Sequence, residues 1–196
     1  MSNDQAAGRT SAQGVAAAAL PDTTTQVVFI DSRTPDIADL INGALPGEQI
    51  FVLDPTQDGL DQIASILTAN DLTGQSAISI IGHAASGEID LGSAVTDDAN
   101  LANDAAALSA IGASLAPGGD HALYACDTAA GATGHQFIAD LSAYACGVDV
   151  AALTSYAGVL CGKPGQILFT TFDQTGSHPV ASSTPPLATR QTQTVP

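Results

Sequence analysis

SAISIIGHA, Ser76–Ala84, is a short apolar run that ends on Gly82-His83. A second such run, DHALYACD at Asp120–Asp127, ends on Ala125-Cys126. Near-continuous apolar runs of this length read as strands covered on both faces. Between them lie a turn-rich segment and one long Ala/Leu-rich stretch that reads as a helix. Strand, helix, strand is the βαβ unit of a parallel sheet. Its right-handed crossover brings the C-terminal ends of both strands to one edge, outside which open α/β sheets hold their sites. The pattern therefore places His83 beside Cys126. A thiolate is a good nucleophile and an adjacent imidazole its usual base, so the pair points to nucleophilic catalysis.

The rest of the chain extends this plan in both directions. Gln26–Ile30 reads as a first strand, followed by the polar turn Asp31-Ser32-Arg33-Thr34-Pro35. Thr34 as cap and Pro35 in the first turn would start a helix carrying Ile37, Leu40 and Ile41, stopped by Asn42-Gly43 and Pro46-Gly47. Gln49–Leu53 reads as a second strand. Asp58-Gly59 leads into a helix near Leu60–Ala69 with Leu60, Ile63, Ala64 and Leu67 as its buried stripe. After the strand that delivers His83, Ser86-Gly87 turns into Glu88–Gly92, whose alternation suggests a small strand or hairpin arm. Asp97 or Asp98 would cap a helix over about Asn100–Leu115, ended by Pro117-Gly118-Gly119. A Gly/Ala-rich loop over Thr128–Gly134, a helix near His135–Tyr144, a strand at Val148–Leu153 and a last strand at Gln166–Phe172 complete the domain. Residues 1–25 read as a disordered arm, 26–176 as the folded domain and 177–196 as a disordered tail.

Composition narrows the partners. The chain carries 20 acidic and four basic residues, a net charge of −16, and all but two of the acids fall within 26–176. Such a surface cannot neutralise phosphates, which excludes nucleic acid and an anionic membrane surface as partners. It suits high salt or divalent cations; calcium is the cation it would favour, although no full calcium-loop pattern occurs and no other cofactor is implied. No stretch approaches the roughly 18 apolar residues of a membrane span. The run Val15–Leu20 is short and lacks a basic leader, so it does not read as a signal peptide. Three cysteines, Cys126, Cys146 and Cys161, give neither a disulfide framework nor a CxxC or zinc spacing.

The chemistry expected at the sheet edge is acyl transfer. His83 would take the Cys126 proton, the thiolate would attack a carbonyl carbon, and protonated His83 would return a proton to the leaving amine. The N–H groups near Ala84 and Ala85, with that of Cys126, would form the oxyanion hole. Arg33 would bind an acidic side chain or a carboxylate, or else pair with Asp31, Asp36 or another acid. Asp31, Asp54 and Asp127 would ring the same edge, fixing loops, orienting His83 or binding a cation, with Asp31 and Asp127 the better candidates for a functional role and placed with Arg33 on the substrate side. Cys146 reads as buried and structural, Cys161 as an exposed loop thiol, His121 as structural on the far edge, and His135 as a weaker alternative base. Gly131–Gly134 lacks both a phosphate-loop lysine and dinucleotide spacing.

The blocks VVFIDSRTPD, VLDPTQDGLDQIASIL, ISIIGHAASGEIDLG and LYACDTAAGATGHQFIADL resemble, in order, the domain of unknown function DUF4347. That domain lies near the N-terminus of very large bacterial surface or secreted proteins, ahead of cadherin-like, adhesin-like or calcium-binding repeats. The resemblance thus implies a secreted or cell-surface location. A more distant similarity is to the caspase-like superfamily of cysteine peptidases, including clostripain-like enzymes, gingipains and CHAT domains. They place His-Gly after one strand and Cys after the next, matching His83-Ala84 and Ala125-Cys126 here, with Ala84 in place of the usual glycine. Arg33 stands near the position of the arginine that gives caspases their aspartate preference. The implied fold is an α/β, three-layer, caspase-like sandwich with a mainly parallel sheet. The implied function is a cysteine peptidase acting on a polypeptide, with self-processing of a surface or secreted protein as one use. The alternative is a non-catalytic acidic module of an adhesin or secreted protein.

Overall fold

A computed structural model describes residues 25–45 and 47–154 and the backbone of 171–173. The expectations for the N-terminal arm, the C-terminal tail, the Cys161 loop and most of the Gln166–Phe172 strand lie outside those residues.

The strands expected at Gln26–Ile30, Gln49–Leu53 and Val148–Leu153 and the helix near Leu60–Ala69 lie within one residue of their observed limits, whereas the two later helices begin four to five residues away from where they were expected. β1 (Gln26–Asp31), β2 (Glu48–Leu53), β3 (Gln75–Ile81), β7 (Leu115–Tyr124) and β8 (Asp149–Leu153) are parallel, and β9 (Thr171–Asp173) joins β8 antiparallel. The strand order is β2-β1-β3-β7-β8-β9. A second sheet, β4 (His83–Ala85), β5 (Glu88–Leu91) and β6 (Ala94–Asp97), is the hairpin arm that the alternation indicated, with one more strand. The helices are α1 (Ile37–Asn42), α2 (Gly59–Ala69), α3 (Ala105–Ala113) and α4 (Gly131–Tyr144), with a 3₁₀ turn at Leu101–Asp104 before α3. Among the described residues, no helix is long and apolar enough to cross a membrane.

Helices flank the main sheet on both faces. Leu60, Ile63 and Leu67 of α2, Leu108 and Ile111 of α3, and Phe137, Ile138 and Leu141 of α4 form one apolar cluster with Val27, Phe29, Ile78, Ile80 and Leu123. Leu40 of α1 lies on the other face with Val28, Ile30, Ile81, Cys126 and Leu153. The split follows from direction. The chain steps one way from β1 to β2 and the other way thereafter, so right-handed crossovers fall on opposite faces. The reversal leaves a switch point between β1 and β3, where sheets of this kind hold their ligands.

Three local expectations need correction. Thr34 does not cap α1: its hydroxyl is buried without a partner, and Asp36 holds the N-cap position at φ 57°. Pro117-Gly118-Gly119 lies inside the span of β7, not between helix and strand. The register jumps from Gln75↔Leu115 to Ala77↔Asp120, so these residues bulge out of a strand that begins and resumes around them. Gly131–Gly134 forms the first turn of α4 and not a loop. It can do so because Gly134 packs against the main chain of Thr128 and Ala129, where a Cβ would overlap.

Candidate functional site

The register fixes the level of the two chemically capable residues. Ile81 of β3 pairs with Tyr124 of β7, and His83 and Cys126 each follow two residues later. They leave neighbouring parallel strands at equivalent heights. The loops beyond are tied together: Ser86 Oγ donates to the Ala130 carbonyl at 2.6 Å, and the Gly87 N–H to the Thr128 carbonyl at 3.1 Å. Gly87 has φ +80°, and a Cβ there would come within 2.6 Å of Thr133 Cγ2, so this contact requires glycine.

His83 is half-buried at the start of β4, and its Nε2 lies 3.3 Å from the Arg33 carbonyl. A carbonyl only accepts, so this contact is a hydrogen bond when Nε2 carries the proton. Nδ1 is then left as the basic nitrogen. Ala84, standing where glycine was expected from the resemblance, is not among the residues of positive φ and pairs with Ile89 in the β4–β5 ladder. Alanine therefore costs nothing there. In an antiparallel ladder successive N–H groups alternate between facing the partner strand and facing away, so one of Ala84 and Ala85 directs its N–H outward. Cys126 is 6% exposed, packs with Val28, Ile30 and Ile81, and is disulfide-bonded. Asp127 follows it at φ 56°, a left-handed conformation that is sparsely populated outside glycine.

The switch point is closed by an ion-paired clamp. Asp31, fully buried at the end of β1, accepts from Arg33 Nε at 2.9 Å, Arg33 Nη2 at 2.8 Å and the Arg33 N–H at 2.7 Å. It also accepts from the Gly92 N–H at 2.7 Å. Burial alone would raise its pKa; these donors outweigh it and hold the carboxyl below its ordinary value. Arg33 extends outward to Asp90, Nη2 to Oδ1 at 2.8 Å and Nη1 to Oδ2 at 3.2 Å. The Asp31 and Asp90 hydrogen bonds raise the guanidinium pKa further. Of the two readings of Arg33, the structure shows the intramolecular pair. The arginine nevertheless stays 38% exposed and Asp90 33%, against 0% for Asp31.

Asp90 was not singled out in the sequence, yet it pairs directly with His83 across β4–β5. The signal was present: a two-residue hairpin turn at Ser86-Gly87 sets that register. The remaining candidates are placed elsewhere. Asp54 is exposed and hydrogen-bonded to Thr56 and Gln57. His121 is fully buried within β7, and His135 is in α4. Cys146 is an exposed free thiol at φ 64°, not the buried residue expected, because it follows the last turn of α4 in a left-handed turn at the surface. Among the described residues no group of three His, Cys, Asp or Glu side chains is placed to hold a metal ion.

Against known families, a model described as "Domain of unknown function (DUF4347)" matches residues 27–163. No curated protein and no solved structure matches the chain.

Proposed function

The chain belongs to the domain family of unknown function DUF4347, and from that premise we propose that Cys126 and His83 form the dyad of a caspase-like cysteine peptidase. The observation that carries the reading is their equivalent placement beyond the paired residues Ile81 and Tyr124, at the ends of β3 and β7 one strand over from the sheet's switch point. The Arg33 carbonyl orients the imidazole, and Nδ1 is the nitrogen that takes the thiol proton. The thiolate attacks the scissile carbonyl, and the outward N–H of Ala84 or Ala85, with that of Cys126, stabilises the oxyanion. Imidazolium then protonates the leaving amine. The chemistry belongs to the reduced protein, since a sulfur in a disulfide is not a nucleophile. The disulfide itself fits a secreted or surface protein, where oxidising conditions preserve it. Self-processing of a larger polypeptide is the use in keeping with that location, and calcium is the cation that the acidic surface would recruit.

A second reading has its own observation. The Asp31–Arg33–Asp90 clamp and the buried, bonded Cys126 also suit a non-catalytic acidic module whose polar edge only holds loops together. Residue-resolved alkylation of the reduced, folded protein across pH separates the two. The peptidase reading expects Cys126 to react at a pH well below about 8.5, with Cys126→Ala abolishing and His83→Ala slowing the reaction. A reduced Cys126 that stays silent until unfolding would sink the peptidase reading and leave the module.

A further inference from the structure

Arg33 controls both ends of a single contact. Its carbonyl is the group that His83 Nε2 meets at 3.3 Å. Its guanidinium reaches Asp90, with Nη2 2.8 Å from Oδ1 and 3.3 Å from the Asp90 carbonyl, and Nη1 3.2 Å from Oδ2. Asp90 is the residue paired with His83 across β4–β5. Arg33 thus supplies the acceptor for the ring and grips the strand on which the ring's own strand is laid. The acceptor end is firmly held. Arg33 lies in a turn after β1, closed by the Thr34 N–H donating to the Asp31 carbonyl at 2.9 Å. Its own N–H and its Nε donate to Asp31 Oδ1, and its Nη2 to Oδ2, so the turn is moored on a fully buried carboxylate. The ring end has less support, because β4 is only three residues long and His83 is half-buried. The Gly92 N–H tie to Asp31 holds the arm beyond β5; the Arg33–Asp90 bridge acts at the level of His83 itself. A planar guanidinium shared between two carboxylates fixes angle as well as distance, which a lysine ammonium does not.

We propose that Arg33 and Asp90 are positioning residues for His83: their side-chain bridge holds the β4–β5 hairpin against the β1 turn at the separation that keeps the imidazole on the Arg33 carbonyl. The placement of the ring stands apart from the dyad reading above; its use in drawing the Cys126 proton rests on that reading. With Nε2–H engaged, the ring is confined to one orientation and Nδ1 keeps its lone pair. Without the bridge, the turn and the hairpin separate and the ring averages among its rotamers. Both partners of the bridge are partly exposed, so it adds little to folding stability. Loss of ring order should therefore appear without loss of the fold, a signature that a merely structural ion pair would not give.

The test is imidazole NMR on the full chain carrying ¹⁵N,¹³C-histidine, with the His83 signals assigned by their disappearance in His83→Gln. Wild type should show a single Nε2–H tautomer and a ring as ordered as the backbone. Asp90→Ala and Arg33→Lys should keep the wild-type circular dichroism, mobilise the His83 ring and lose its Nε2–H resonance to exchange with water; should Arg33→Lys misfold, Asp90→Ala decides. Alkylation of reduced Cys126 should slow by about tenfold in the same variants, the order of loss that loosened positioning produces. A wild-type ring already mobile or protonated at Nδ1, or one that Asp90→Ala leaves unmoved, would overturn the positioning. A ring that loosens while Cys126 keeps its wild-type, His83-dependent rate would overturn the catalytic use of that placement. A ring that loosens with the bridge beside a reduced Cys126 that never reacts would uphold the positioning and defeat the dyad.

Discussion

Arg33 joins a fully buried carboxylate to a half-exposed one, and the two bonds differ in worth. Truncating the arginine leaves Asp31 charged and dry. Loss of a partner from a fully buried pair costs about 3–5 kcal/mol. Because Arg33 is 38% exposed, the expected cost of Arg33→Ala is lower, roughly 2–4 kcal/mol. Asp90→Asn removes a pair with solvent on both sides and should cost under about 1 kcal/mol. Urea titration of both variants checks the ordering; equal losses would mean that Asp31 finds other donors. His121 presents the opposite case. Both ring nitrogens are buried without a partner, and burial lowers its pKa from 6.5 to about 4. The unfolded chain then binds the proton first, so stability rises with pH between these values and is lost as pH falls from 6.5 towards 4. The full loss is on the order of 3 kcal/mol. The Asp31 contribution acts lower, fading only as pH drops through and below the ordinary carboxylate value of 3.8. His121→Leu should flatten the upper window and leave the protein more stable at pH 5, by melting temperature; an unchanged slope would point to other groups.

The hairpin arm β4–β6 is the element that carries His83 and Asp90 beyond the end of β3. It is seated through Gly92, which has φ +62°, donates to Asp31, and forms a bridge with Asp58. A Cβ at this position would overlap the Gln57 carbonyl. Gly92→Ala should therefore destabilise by more than about 2 kcal/mol and displace the arm that carries His83. Hydrogen exchange should show the β4–β6 amides opening while those of β1 and β3 stay protected. If the whole sheet loosens together, the arm is not a separate unit. The contact of α3 with α4 is similarly tight, since Gly112 lies against the Ala145 carbonyl with no room for a side chain.

The whole molecule carries its −16 charge mostly on the folded domain, and acids crowd one another there. Burial raises the Asp98 pKa, with Asp140 and Asp97 adding to it; burial also raises that of Asp104, with help from Asp58 and Asp61. Self-repulsion of this kind is screened by salt, with a Debye length near 10 Å at 0.1 M. Thermal unfolding should shift upward as sodium chloride rises from low to moderate concentration. Calcium at matched ionic strength should add to that shift if it binds specifically, and an identical shift would assign the effect to screening alone.

The sheet was largely legible from the sequence. Apolar runs such as Val27–Ile30 and Ile78–Ile81 encode buried strands locally, and the spacing of Leu60, Ile63 and Leu67 encodes the stripe of α2. The shared edge of His83 and Cys126 followed from the parallel direction of the strands that carry them, which a strand–helix–strand pattern implies. What tertiary structure decided was pairing. The bulge at Pro117-Gly118-Gly119 appears only when β7 is laid against β3. Arg33's choice of Asp31 and Asp90 among many acids depends on which carboxylate is buried beside it and which lies across the hairpin from His83. Propensity and periodicity act over a few residues and are written in the chain, whereas register and proximity arise between segments far apart in it and exist only once the sheet has formed.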